Sequence, residues 1–257
     1  MKPLLFALFF SFYITHGLVC SSYPCNDQVP IEVWTSLEPY FLPSNHPIKP
    51  KLDYLFKKRI SLSKSTLEQA GFSPIYERKP TNIRIGRHSA LRGYILKLFL
   101  DTQPQLTEWK NWIDRIEGAK VIKEAIKKNK FSRFDVPKKW IYPLPKAVLP
   151  VGNYHAKHFI LVVEDMNLLS STENKKAYQE KVSSQTLREL FFLLTDCGLL
   201  DSVYIDNIPF NKSGRICFVD TEHHHKWPVP YERLTGAFSP KMQLYWKKLI
   251  EFAKDQN

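Results

Sequence analysis

Residues 199–222 read LLDSVYIDNIPFNKSGRICFVDTE, and the fold turns on how this stretch is interpreted. Two short apolar runs, 203–205 and 216–219, flank the polar turn Asn211-Lys212-Ser213-Gly214. Asn and Gly tolerate the positive φ that a tight turn needs, so the stretch is predicted to be a strand, a turn and a second strand. Acidic or amide side chains mark the ends of the runs: Asp201, Asp206, Asn207, Asp220 and Glu222. Carboxylates beside a buried hairpin are costly to desolvate unless something pairs with them, and a divalent cation is one such partner.

Helices are expected on either side. Upstream, Thr186 and Glu189 have the spacing of a capping box, followed by the stripe Leu187, Leu190, Phe191, Leu194 and Cys197 and by Gly198 as a stop. Downstream, Ser239-Pro240 reads as an N-cap and first helical residue, with Met242, Tyr245, Trp246, Leu249 and Phe252 facing inward. His223, His224 and His225 lie between. Adjacent histidines on an extended chain point to alternate sides, so a metal site there needs ligands from elsewhere, and a polar loop is the plainer reading.

Further towards the N-terminus the pattern is β. Ile83 and Ile85 alternate with polar neighbours, and 93–100 (GYILKLFL) forms a strand carrying one lysine, Lys97. Lys97 either points to solvent from an edge strand or is aimed into a site holding an acidic or phosphate partner, because an unpaired buried ammonium is expensive. Residues 106–129 are predicted to be a helix with Trp109, Trp112, Ile113, Ile116, Ala119 and Ile126 near helical spacing, and Glu117 close to the stripe where it could meet Lys97. The run 136–143 reads as an irregular edge strand, and 158–163 (HFILVV) as a central one leading into Glu164-Asp165-Met166. The proline- and aromatic-rich residues 23–50 read as an extended arm that packs or wraps.

The chain has 257 residues, 44% of them hydrophobic and 14% aromatic, enough for a substantial core and against global disorder. A formal charge of +12 favours anionic partners without choosing among nucleotide phosphates, nucleic acid and acidic lipid. Lys2, an apolar run at 4–13 and the small residues Gly17, Cys20, Ser21 and Ser22 have the pattern of a secretory signal peptide over 1–22, which places the protein outside the cell or in a periplasm, and at a membrane only if the segment is uncleaved. Of the four cysteines, Cys197 and Cys217 are expected to be small buried hydrophobes. No Ser/His/Asp triad or nucleophile elbow is evident, and nine glycines argue against a Rossmann domain.

The order of these features resembles the protein-kinase-like fold, including aminoglycoside and other small-molecule kinases. The resemblance covers roughly residues 72–252. It implies an α+β, two-lobed architecture: a small antiparallel-sheet lobe at 72–165 and a reduced, mainly helical lobe at 166–257, preceded by the arm and helix of 23–71. In that family a strand lysine pairs with a helix glutamate and holds nucleotide phosphates. Lys97 and Glu117 match those roles by position. Glu164 and Met166 match the hinge that offers backbone groups to adenine. Asp220, in ICFVDTE, matches the metal-binding aspartate, and Asn207 the second metal ligand. The implied cofactors are ATP and Mg²⁺, and the implied acceptor is a protein or small-molecule hydroxyl.

The catalytic loop departs from the family pattern. Five residues before Asn207 stands Ser202, with Asp201 one step off, and leucines where the loop histidine belongs. Either the loop is one residue longer and Asp201 is the base, or Asp206 takes the amide role beneath Asp201, or the site is degenerate. The phosphate-covering loop lacks GxGxxG, with only Gly86 and Gly93 before Lys97. Three functions therefore compete: a secreted phosphotransferase, a pseudokinase acting as a binding or scaffold module, and a basic secreted protein that binds an anionic surface. Nucleic-acid binding, suggested only by aromatics among the cations of 123–134, is not favoured.

Overall fold

The computed structural model describes residues 23–57, 62–77, 83–104, 107–148 and 154–254. The predicted signal segment, 1–22, lies outside the described residues. No helix among the described residues is long and apolar enough to cross a membrane. The fold is α+β, built on a five-stranded antiparallel sheet and several helices.

Helices α1 (Ile31–Leu37), α2 (Lys49–Leu55) and α3 (Lys64–Gln69) precede the sheet. The segment expected to be an extended arm is thus partly helical. Its prolines assist: Pro30 is the N-cap of α1 and Pro50 lies in the first turn of α2, where a missing N–H costs nothing. Ser63 caps α3 through a reciprocal pair of bonds with Thr66.

The sheet comprises β1 (Phe72–Glu77), β2 (Ile83–His88), β3 (Tyr94–Phe99), β5 (Lys139–Pro143) and β6 (Phe159–Glu164), in the order β1-β2-β3-β6-β5. The helix α4 (Glu108–Asn129) connects β3 to the short β4 (Phe134–Asp135), which lies just before β5. Lys97 is paired with Ile85 on one side and Leu161 on the other, so β3 is central and the solvent-facing edge-strand reading of Lys97 does not hold. Because strand side chains alternate, Ile85, Lys97, Leu161 and Ile141 share one face. That face meets α4, where Trp112 packs on Phe99 at 5.1 Å. The other face carries Trp140 and Tyr142, which meet His46 and Phe56 from the arm at 4.7 and 6.0 Å. Phe41 bridges to Ile141 and extends the arm along the β5 edge.

The helices α5 (Ser171–Glu180), α6 (Ser184–Asp196) and α7 (Pro240–Lys254) follow, with β7 (Ile216–Cys217) between α6 and α7. They enclose a second apolar cluster that includes Tyr178, Leu190, Leu194, Phe218, Phe238 and Trp246. Helix α4 serves both clusters. Trp112 and Ile116 belong to the first, Ala119, Ile122 and Ala125 to the second. Arg115 and Gly118 therefore lie where the two clusters meet.

The opening hairpin is corrected in detail. Residues 203–205 are turns, not a strand, although Val203 is fully buried. The returning arms are 207–211 and 215–219, joined by bonds from Cys217 N to Pro209 O (2.8 Å) and from Val219 N to Asn207 O (3.0 Å). Gly214, at φ +83°, closes the predicted turn. Strand β7 then pairs in parallel with β4. Helix α6 begins earlier than its predicted box, since Ser183 is the cap and Thr186 the residue whose amide it accepts.

Candidate functional site

The sheet face bearing Lys97 overhangs the loop that follows β7, and charged residues from four elements converge there. Strand β3 supplies Lys97, β5 supplies Lys139, α4 supplies Arg115, and the loop supplies Asp220, Thr221 and Glu222. Lys97, Lys139, Arg115 and Thr221 are all buried. Arg115 lies on the same helical face as Trp112, Ile116 and Ala119, so the helix carries it into the apolar interface.

Once there, its guanidinium is matched. Arg115 Nε lies 3.2 Å from Asp220 Oδ1, and Nη2 lies 2.5 Å from Glu222 Oε2. The Thr221 hydroxyl donates to the Arg115 carbonyl at 2.5 Å. Lys139 Nζ donates to Thr221 Oγ1 (2.7 Å), to Val219 O (3.3 Å) and to Arg115 O (3.4 Å). Lys97 Nζ donates to the same Val219 carbonyl at 3.3 Å. Gly118 lets this loop lie directly on α4: a Cβ there would stand 1.9 Å from the Thr221 carbonyl oxygen.

The electrostatics follow from burial and crowding. Burial works against the Asp220 carboxylate, but the charges of Lys97, Arg115 and Lys139 outweigh it and hold the carboxyl well below its usual range. Burial lowers the Lys97 ammonium, partly offset by Asp220. Lys139 is pushed further down, first by burial and then by Lys97 beside it.

Beyond this cluster opens a cleft of about 440 Å³. Ile83, Ile85 and Ile95 line it from the sheet, and Leu168, Leu169 and Pro209 line it from the opposite side. Lys97, Arg115, Asp206, Asn207 and Asp220 line its polar part. The arrangement offers an apolar slot continuous with a cluster of charges, which suits a flat apolar group carrying an anionic tail.

Of the eight site residues singled out from the sequence, four meet at this cleft and four do not. Lys97, Asp206, Asn207 and Asp220 are brought together. Asp201 lies just outside, with its carboxylate 2.6 Å from His223 Nδ1 and its carbonyl accepting from the Asn207 side-chain amide at 2.8 Å. Glu117 does not meet Lys97. It is turned to the surface, where it pairs with Lys120 at 2.9 Å, and Arg115 takes the inward position two residues earlier. Glu164 and Met166 line a different cavity, of about 650 Å³, with Gly93, Asp135 and Arg215. The Glu164 amide is already used by Lys138 O (3.0 Å), and its carboxylate accepts from Lys138 N at 2.9 Å.

Of the histidine run, His223 reaches Asp201, while His224 lies against Gly118. Among the described residues no group of three or more His, Cys, Asp or Glu side chains is arranged to hold a metal. Cys197 and Cys217 are buried free thiols, and burial pushes each up to about 12. No family model matches the chain, and no curated protein matches it at a meaningful score.

Proposed function

We propose that this chain is a kinase-like nucleotide-binding protein of the pseudokinase type. The observation that carries the proposal is the convergence of Lys97, Asp206, Asn207 and Asp220 on one cleft whose remaining wall is the apolar set Ile83, Ile85, Ile95, Leu168 and Leu169. The sheet order β1-β2-β3-β6-β5, with a helix inserted after the lysine strand, supports the same reading. So do the two apolar clusters, which correspond to a sheet lobe and a helical lobe. The cleft residues fit a nucleoside triphosphate: the branched aliphatic side chains sandwich a base, and Lys97 and Arg115 face the phosphates.

The donor set does not suit Mg²⁺. Asp220, the expected anchor, is ion-paired with Arg115 and crowded by two lysines, while the Asn207 side-chain NH2, which is not its metal-ligating end, donates to the Asp201 carbonyl. This favours binding without phosphoryl transfer. Binding is tested by thermal shift with ATP. Ligand at one hundred times its Kd stabilises by about 2.7 kcal/mol. For a protein of this size that is a rise in Tm of roughly 5–10 °C. No shift at millimolar ATP refutes the proposal.

A phosphotransferase is the second reading, and one contact favours it. The bond from Asn207 to the Asp201 carbonyl spans a loop one residue longer than the family pattern, which keeps Asp201 tied to Asn207 beside the cleft. Transfer of labelled γ-phosphate to a hydroxyl acceptor, abolished in Asp201→Ala, would establish that reading in place of the first. For either, the signal pattern of 1–22 supports action outside the cytosol.

A further inference from the structure

We infer that the Arg115 guanidinium stands in for a divalent cation at Asp220, so that the cleft binds a nucleoside triphosphate in its metal-free form. The inference rests on the nucleotide-binding reading and specifies the chemical form in which the ligand is taken. Three cations, Lys97, Arg115 and Lys139, surround two carboxylates, Asp220 and Glu222, in one cluster. Two of them, Lys97 and Arg115, also line the cleft.

The work of a metal at such a site is to neutralise an aspartate that would otherwise repel phosphate, and to present positive charge to the phosphate oxygens. Arg115 does both. Its Nε stands 3.2 Å from Asp220 Oδ1 as an ion pair without hydrogen-bond geometry, and the group is already desolvated, with only 3% of its side chain exposed. Its orientation is set from both ends. Glu222 holds Nη2, and the Thr221 hydroxyl and Lys139 hold the backbone carbonyl of the same residue. A dication entering beside Asp220 would meet the repulsion of a guanidinium held by Glu222 and of the lysines beside it. A free triphosphate meets no such obstacle and brings charge opposite to that of Lys97 and Arg115, which line the cleft.

The test measures the affinity of a trinitrophenyl-labelled ATP analogue by fluorescence, once in excess EDTA and once in excess MgCl₂. The expected result is an apparent Kd weaker in magnesium by at least about tenfold, because excess magnesium converts the nucleotide into its metal complex. Equal or tighter binding in magnesium overturns the inference while leaving the nucleotide-binding reading in place. Absence of binding in both buffers overturns both.

Two variants supply the sign. Asp220→Asn keeps the side-chain shape and removes a charge that repels phosphate, so in EDTA it should tighten binding by about threefold or more. Weakened binding in Asp220→Asn, in either buffer, counts against the inference. Arg115→Gln frees Asp220 for a metal and should turn binding magnesium-dependent by about tenfold. If Arg115→Gln does not fold, the Asp220→Asn comparison decides alone.

Discussion

Replacing Gly118 by alanine tests whether the charged loop is truly seated on α4. On an exposed helix the change would be favourable, since glycine costs about 1 kcal/mol relative to alanine. Here the new Cβ would stand 1.9 Å from the Thr221 carbonyl oxygen and 3.0 Å from His224 Nδ1. The carbonyl would have to retreat by about 1.1 Å to reach the closest approach a Cβ tolerates, in an interior that is already close-packed. Thr221 is not free to retreat. Its hydroxyl donates to Arg115 O at 2.5 Å and accepts from Lys139 at 2.7 Å. Losing both bonds costs about 1–3 kcal/mol. The strain of overpacking adds about 1–3 kcal/mol. Set against the helix gain, the net loss is roughly 1–5 kcal/mol, or about 3–15 °C in Tm for a domain of this size. Urea unfolding followed by tryptophan fluorescence measures it. An unchanged or higher midpoint in Gly118→Ala would show that the loop does not rest on the helix, and the placement of Asp220 beside Arg115 would fall with it.

Two further expectations concern the same cluster. The Asp220 carboxyl is depressed in the folded state, so its contribution is fully present above the unfolded value of 3.8 and is lost as pH falls below it. Acid unfolding monitored by circular dichroism should therefore steepen below about pH 4 in the native protein. Asp220→Asn should flatten that limb, and an identical acid profile in the variant would refute the assignment. Lys97→Met should lower stability by about 1–3 kcal/mol, because it takes away the charge that most depresses the buried Asp220 carboxyl. The same substitution should weaken nucleotide binding at least about tenfold, and a variant that binds equally well would contradict the role given to Lys97.

Much of the scaffold is legible in the chain because it rests on local pattern. The run of 158–163 is continuously apolar and becomes β6, an inner strand of the sheet. Ser239-Pro240 starts α7 where expected. The departures from local pattern have two causes, an apolar run that is buried without being a strand and prolines that open helices. Val203 is buried because the loop 201–207 folds under itself, closed by the bond from Asn207 to the Asp201 carbonyl, and not because it pairs in a sheet. The arm suggested extension through its prolines, yet Pro30 and Pro50 open helices whose Trp34, Leu37 and Leu52 enter the first core. A proline at a helix start and one in an extended segment look alike until the neighbours' packing is known.

The site was legible in its anchors and not in its pairing. Lys97, Asp206, Asn207 and Asp220 were found because each breaks a local rule, an ionisable or amide group against an apolar run. Glu117 matches Lys97 in chemistry and in chain position, but in the fold it pairs with Lys120 instead. The stripe of α4 passes through Trp112, Ile116, Ala119 and Ile122, and Arg115 lies on that stripe while Glu117 lies off it. A charged residue on a buried helical stripe must meet its counter-charge inside, and in the fold that counter-charge is the pair Asp220 and Glu222. Lys139 gave the same signal. It shares strand parity with buried Ile141, so a lysine there points inward too. Reading parity before chemistry would have placed two inward cations opposite Asp220 and Glu222.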